Sequence, residues 1–169
     1  MKAVIVWLVV MVVNLAGYGQ RVGVRVGHSL VPADYLSLRY EHWTNGQVNF
    51  ALAGFFERSR KNLLNYTSYG ADLLAEYSPL VAGDPLPFFS WRAGIGLTGQ
   101  VEWEPWLYKD LSFSQRLSYG AVGEGSLDCH LTEAFRLSLF VQQKYFLRRA
   151  FAAGRFCFGL GLSYRLDNF

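Results

Sequence analysis

The stretch FSWRAGIGLTGQVEW, from Phe89 to Trp103, decides how the rest of the chain is read. Its odd positions are Phe89, Trp91, Ala93, Ile95, Leu97, Gly99, Val101 and Trp103, and its even positions are Ser90, Arg92, Gly94, Gly96, Thr98, Gln100 and Glu102. Successive side chains of a β-strand point to opposite faces, so this period of two marks a strand with one apolar and one polar face. Trp91 and Trp103 share the apolar face. At about 3.3 Å per residue and a tilt near 40°, they stand roughly 30 Å apart along the normal of a bilayer. That separation brackets the ~25 Å lipid-facing band that lies between two aromatic girdles in membrane barrels.

Outward from this stretch the same alternation recurs, giving eight blocks in all. Before it come Arg21–Gly27, Tyr35–Trp43, Gln47–Arg58 and Asn65–Tyr77. After it come Ser118–Leu131, Phe135–Leu147 and Phe156–Leu166. The apolar parity holds, for example, Val22, Val24 and Val26 in the first block and Leu160, Leu162 and Tyr164 in the last. Eight strands of about ten residues predict an all-β fold, an eight-stranded antiparallel up-and-down transmembrane barrel over residues 20–169.

Alternation alone does not choose between lipid and water, because a soluble lipocalin-like barrel alternates too, with its apolar side turned inward. Three features favour the membrane. Aromatics gather at strand ends; Trp43, Trp91, Trp103 and Trp106 are read as interface anchors. The polar faces are rich in Gly, Ser and Thr, which suit a narrow lumen just filled by side chains. The connections alternate in length: Thr44-Asn45-Gly46 and Thr132-Glu133-Ala134 are tight, and Glu104 to Leu117 is the longest. This places the tight turns in the periplasm beside the N-terminus. Two places strain the pattern: Ser78 to Phe88 is a long connection with three prolines on the short-turn side, and Phe169 is out of phase with Tyr164 and Leu166.

Composition agrees. Aromatic residues make up 17% and charged residues 17% of the chain, against a usual charged share of ~25%. The net charge of +3 is too weak to argue for nucleic acid. Lys2, the apolar run Ala3–Val13 and the small-x-small pair Gly17 and Gly19 before Gln20 read as a cleaved signal peptide over residues 1–19, directing the chain to a bacterial outer membrane. The apolar run is too short to span a bilayer as a helix, which takes about 20 residues. Export exposes Cys129 and Cys157 to an oxidising compartment. They fall on separate blocks with opposite facing and are expected to be free.

The polar parity collects a charge network in the lumen: Arg21, Arg25, Arg39, Glu41, Asp72, Glu76, Arg92, Glu102, Glu124, Asp128, His130, Lys144 and Arg165. Buried charges are costly unless paired, so these are expected to pair and plug the barrel. Glu124, Ser126, Asp128 and His130 share one face of one strand and invite a Ser/His/acid reading. Same-face neighbours lie ~7 Å apart, however, and a nucleophile needs its base within about 3 Å. No catalytic residue is assigned. The His and Cys spacings match no metal site, and no cofactor is implied. The loop residues Trp106, Leu107 and Tyr108 are candidates for a partner contact.

The segments Tyr69-Gly70-Ala71-Asp72, Gly94-Ile95-Gly96-Leu97, Tyr119-Gly120-Ala121-Val122-Gly123 and Gly159-Leu160-Gly161-Leu162 resemble the conjugative-transposon protein TraO family. The resemblance implies a non-catalytic structural outer-membrane component of a conjugative transfer apparatus, in contact with lipid and with other proteins of that apparatus. It brings no active site with it. A generic small barrel acting as adhesin or envelope stabiliser, and a lipid-modifying barrel enzyme, are the alternative expectations.

Overall fold

The computed structural model describes residues 19–30, 33–44, 47–59, 66–79, 88–103, 116–147 and 153–166, with the backbone alone at 103 and 116. The strands are β1 (Gln20–Ser29), β2 (Ala33–His42), β3 (Val48–Arg58), β4 (Thr67–Tyr77), β5 (Phe89–Trp103), β6 (Arg116–His130), β7 (Phe135–Phe146) and β8 (Gly154–Leu166). Each pairs antiparallel with its neighbour in sequence, and β8 returns to pair with β1, closing the barrel. Closure leaves no strand edge unpaired, which is what a β-structure needs in a medium without water. The expected strands differ from these by two residues or fewer at every end, Gln20–Ser29 running two residues further than predicted at its far end.

The barrel is inside-out relative to a soluble domain. Ile95 is 75% exposed and Leu97 67%, whereas Asp72 and Lys144 are at 0%. The outward wall carries two rings of aromatics. Tyr77, Phe89, Trp91, Phe135 and Tyr164 lie toward the end closed by the 131–134 turn, with Tyr77 and Trp91 5.8 Å apart and Phe135 and Tyr164 5.1 Å apart. Phe56, Tyr69, Tyr119 and Tyr145 lie toward the other end. Between the rings the outward positions are mostly aliphatic, among them Leu38, Leu73, Ile95, Leu139 and Leu160.

The inner wall is less uniformly small than its Gly, Ser and Thr content predicts. Tyr35, Phe55, Phe140 and Phe146 all point inward and are buried. Each faces a glycine across a strand pair: Tyr35 with Gly27, Phe55 with Gly70, Phe140 with Gly159, and Phe146 with Gly120. A Cβ on Gly70 would come within 2.6 Å of the Phe55 ring. Gly70 thus makes room for a ring, while a Cβ on Gly27, Gly120 or Gly159 would meet the backbone of a neighbouring strand, as close packing demands.

The tight turn is held by its own side chain. The amides of Leu131 and Thr132 donate to the Phe135 carbonyl at 3.1 and 3.2 Å, and the Phe135 amide donates back to Thr132 Oγ1 at 2.9 Å. Cys129 and Cys157 are both free, Cys157 being buried in the lumen. The leader over residues 1–18, Asn45 and Gly46, the long loop with Trp106, Leu107 and Tyr108, most of the proline-rich connection (80–87), and Phe169 lie outside the described residues.

Candidate functional site in the barrel lumen

Parity brings the predicted charges to one interior. Arg21, Arg25, Arg39, Glu41, Asp72, Glu76, Arg92, Glu102, Glu124, Asp128, His130 and Lys144 are all buried, and Arg165 is half-buried on the same face of its strand. Their pairings divide the lumen into two tiers, one at each end of the barrel.

In the tier nearest the 131–134 turn, the acids are shared. Glu41 Oε1 accepts from Arg39 Nε and Arg92 Nη1, each at 2.8 Å, and Glu41 Oε2 pairs with Arg136 Nη2. Glu76 accepts from Arg92 at 3.0 Å and also pairs with Arg39. Glu124 lies 2.8 Å from Arg25 and 3.0 Å from Arg39. Asp128 is held by Arg92 through both carboxylate oxygens. Two-point guanidinium–carboxylate contacts of this kind fix geometry as well as charge. Gln142 then donates to both Glu124, at 3.1 Å, and Asp72, at 3.2 Å, and so ties this tier to the next.

The far tier is sparser. Lys144 Nζ lies 3.0 Å from Asp72 and 3.0 Å from the centroid of the Phe55 ring. Arg155 donates to Glu57 at 2.8 Å and pairs with Glu102, while its guanidinium lies 5.0 Å from the Tyr66 ring and 5.4 Å from that of Phe146. Arg25 similarly lies 4.7 Å over the Phe140 ring. The aromatic faces carry part of the cationic charge beside these carboxylates.

Glu57, Arg136 and Arg155 belong to this network and escaped the sequence reading. Glu57 and Arg136 sit inside predicted blocks on the polar parity, beside Phe56 and Leu137, so their placement was legible there. Arg155 precedes the predicted start of its block, because β8 begins two residues earlier at Gly154.

Among the predicted interface aromatics, Trp91 is outward and 47% exposed. Trp103 ends β5, and Trp106 is outside the described residues. Trp43 is corrected: it is buried, with the Arg21 guanidinium 5.8 Å from its ring and its amide donating to the Gly19 carbonyl at 3.2 Å. Its odd number puts it in phase with Arg39 and Glu41, so it closes the lumen rather than facing outward. Gly19 takes φ of +83° beneath it, a left-handed conformation that favours glycine.

The tempting triad does not assemble on its own strand. Ser126 and His130 are both inward and buried, but the His130 Nε2 partner is Ser90 Oγ of β5, at 3.0 Å. Asp128, the acid between them, is held by Arg92.

No protein-family profile matches this chain, and no curated protein matches it. Solved structures do. The N-terminal β-barrel domain of Pseudomonas aeruginosa OprF superposes with a TM-score of 0.67 at 16% identity, over 88% of this chain and 97% of that one. Neisserial surface protein A gives 0.65 at 13% identity, over 88% and 95%. Ail, the attachment invasion locus protein of Yersinia pestis, gives 0.57 at 10% identity, over 88% and 98%. At such identities the likeness is one of fold: this chain is a closed eight-stranded antiparallel barrel of the kind found in small outer-membrane proteins.

Proposed function

We propose that this chain is a closed structural barrel of a bacterial outer membrane, reached by way of a cleaved leader, and that it works without catalysis as a component of a conjugative transfer apparatus. The observation that carries the membrane reading is the outward wall: aliphatic residues between two aromatic rings, around an interior of paired charges. In water that wall would be an apolar surface far larger than the few hundred Å² that soluble monomers expose. In lipid it costs nothing, and the aromatic rings fall where headgroups meet acyl chains.

The interior argues for a plug. An eight-stranded barrel has room for side chains and little else. Here that room is filled by guanidinium–carboxylate pairs and by inward rings. The conjugative role rests on the resemblance of the Tyr69–Asp72, Gly94–Leu97, Tyr119–Gly123 and Gly159–Leu162 segments to the TraO family.

Two measurements test this. Detergent-extracted protein should migrate faster on SDS gels before heating than after; the absence of a shift, with recovery in the soluble periplasmic fraction, refutes the membrane reading. Deletion of the gene from a donor strain should lower transfer of its conjugative element at least tenfold; unchanged transfer refutes the conjugative role and leaves the barrel intact. The second reading is an attachment role, favoured by the fold shared with Ail. It predicts that deletion lowers adherence to a surface and leaves transfer unchanged.

A further inference from the structure

The outer wall is not evenly filled. Gly54, Ala71 and Gly99 stand side by side on β3, β4 and β5, in one row that Leu38 and Tyr119 close at its two ends. The outward rows above and below are large: Phe56, Tyr69 and Val101 toward the end away from the 131–134 turn, and Leu52, Leu73 and Leu97 toward the turn. Such rows lie about 7 Å apart along a strand. The small row is therefore a trough between two walls of side chains. It encloses about 530 Å³, with Leu36 and Leu117 completing its rim. The barrel itself does not need these glycines. A Cβ at Gly54 or Gly99 would meet nothing within 4 Å, whereas one at the inward Gly70, Gly96 or Gly120 would come within 2.2 Å of a neighbouring strand's carbonyl oxygen. Glycine inside a strand weakens it and marks places that a ligand or another backbone approaches closely. Among the described residues no protein atom uses the space over Gly54 and Gly99.

Charge lies at one end of the trough. Phe56 and Tyr69 belong to the aromatic ring at which headgroups meet acyl chains in a membrane barrel. The trough is on the acyl side of that ring. On the headgroup side, Arg58 continues the outward face of β3 two positions beyond Phe56 and is exposed. It stands about 13 Å along the strand from Gly54. Asp34 is directly across from it, but its carboxylate lies 3.5 Å from His28 on the opposite side, and no described carboxylate forms an ion pair with Arg58. A second groove, of about 260 Å³, adjoins the trough across Tyr119, between Leu97, Tyr145 and Leu147.

We infer that this face of β2–β5 is a binding site for a phosphorylated, multiply acylated glycolipid of the lipid A class. One acyl chain lies in the Gly54–Ala71–Gly99 trough, a second in the groove beyond Tyr119, and a phosphate sits on Arg58. A guanidinium suits phosphate because its paired N–H donors match the phosphate oxygens. With the tight turns in the periplasm, Arg58 is at the outer leaflet, which is where such a glycolipid resides. The site rests on the membrane reading and is independent of the conjugative role. It differs from the lipid that wets the whole wall in being local and saturable.

The test uses the chain refolded in detergent micelles and incubated with lipid A, with the lipid retained after washing counted by mass spectrometry. Wild type should retain it saturably. Gly99→Leu fills the trough and Arg58→Gln removes the cation; each should retain about tenfold less, the scale of one charged hydrogen bond. Lipid A stripped of its phosphates should be held by wild type as weakly as intact lipid A is by Arg58→Gln. Gly125→Leu is the control. It makes the same change on the outward face of β6 nearer the turn, where a Cβ meets only the Val141 side chain at 3.6 Å, and should retain lipid A as wild type does. Heat-dependent gel mobility reports whether each variant folds. A wild type without that shift overturns the membrane reading, and this site with it. A normal shift with equal retention in wild type, Gly99→Leu and Arg58→Gln overturns the site alone, as does an equal loss in Gly125→Leu.

Discussion

Near the turn end of the lumen Glu41 serves Arg39, Arg92 and Arg136 together; toward the other end Lys144 has Asp72 as its one ion-pair partner among the described residues. Both tiers solve the same problem, the desolvation of charge inside a barrel, and they solve it differently. The shared tier is redundant for three of its arginines: take away one acid and Arg39, Arg92 and Arg136 each still reach another. At Lys144 the far tier is not, and the Phe55 ring makes up the difference there; Arg155 has two acids, Glu57 and Glu102, besides the Tyr66 and Phe146 rings. Redundancy should show as tolerance to substitution, and its absence as fragility.

Asp72→Asn is therefore expected to be the most damaging single change. It leaves an ammonium at 0% exposure with no carboxylate. Breaking a buried pair from one side costs about 3–5 kcal/mol. The loss should appear as a lower urea midpoint for unfolding from detergent micelles. A loss below about 1 kcal/mol would mean that the Phe55 ring alone satisfies Lys144.

The double variant Asp72→Asn with Lys144→Met sharpens the same point. Replacing both charges removes the stranded ammonium and puts a thioether of similar length against Phe55. Buried pairs exchanged for apolar residues are often neutral. The double variant should recover at least half of the single variant's loss, about 2 kcal/mol. A double variant as unstable as Asp72→Asn would show that Asp72 acts through something other than Lys144.

Glu76→Gln probes the shared tier. Arg39 retains Glu41 and Glu124, and Arg92 retains Glu41 and Asp128. The glutamine can still accept from one guanidinium, so the cost should be about 1–2 kcal/mol, the scale of a charged hydrogen bond. If Glu76→Gln is as damaging as Asp72→Asn, the distinction between tiers fails.

Much of this lumen was legible in the sequence, and the boundary of what was legible is physical. Parity assigns inside and outside, because a strand has only two faces. It placed Arg39, Asp72, Glu124 and Lys144 inward, and applied without exception it would also have placed Glu57 and Arg136. Trp43 went astray because nearness to a strand end was weighed above its phase with Arg39 and Glu41. Partner choice is another matter. Arg39 and Glu124 are 85 residues apart and Arg155 and Glu57 are 98 apart. Those meetings depend on the stagger between strands and on side chains crossing the lumen, and neither is written in the alternation of any one strand. The ring–glycine pairs stayed hidden for the same reason, since Phe140 and Gly159 meet only through the β7–β8 register.

Gln142 decides whether the tiers are independent. Its amide nitrogen donates to Glu124 in one and to Asp72 in the other, at 3.1 and 3.2 Å. Gln142→Leu removes both bonds and adds no charge, and each acid keeps its cation. The cost should be the smallest of the series, about 1 kcal/mol. Its greater use is as a background: residues that share a partner couple, whereas separated ones add. With Gln142 present, the losses of Glu124→Gln and Asp72→Asn should depart from additivity by about 0.5 kcal/mol or more. In the Gln142→Leu background the same two losses should add, because the side chain that hydrogen-bonds both acids is gone. Additivity in both backgrounds would mean that the two tiers never communicated; coupling that survives Gln142→Leu would mean that the lumen conducts strain through its packed rings.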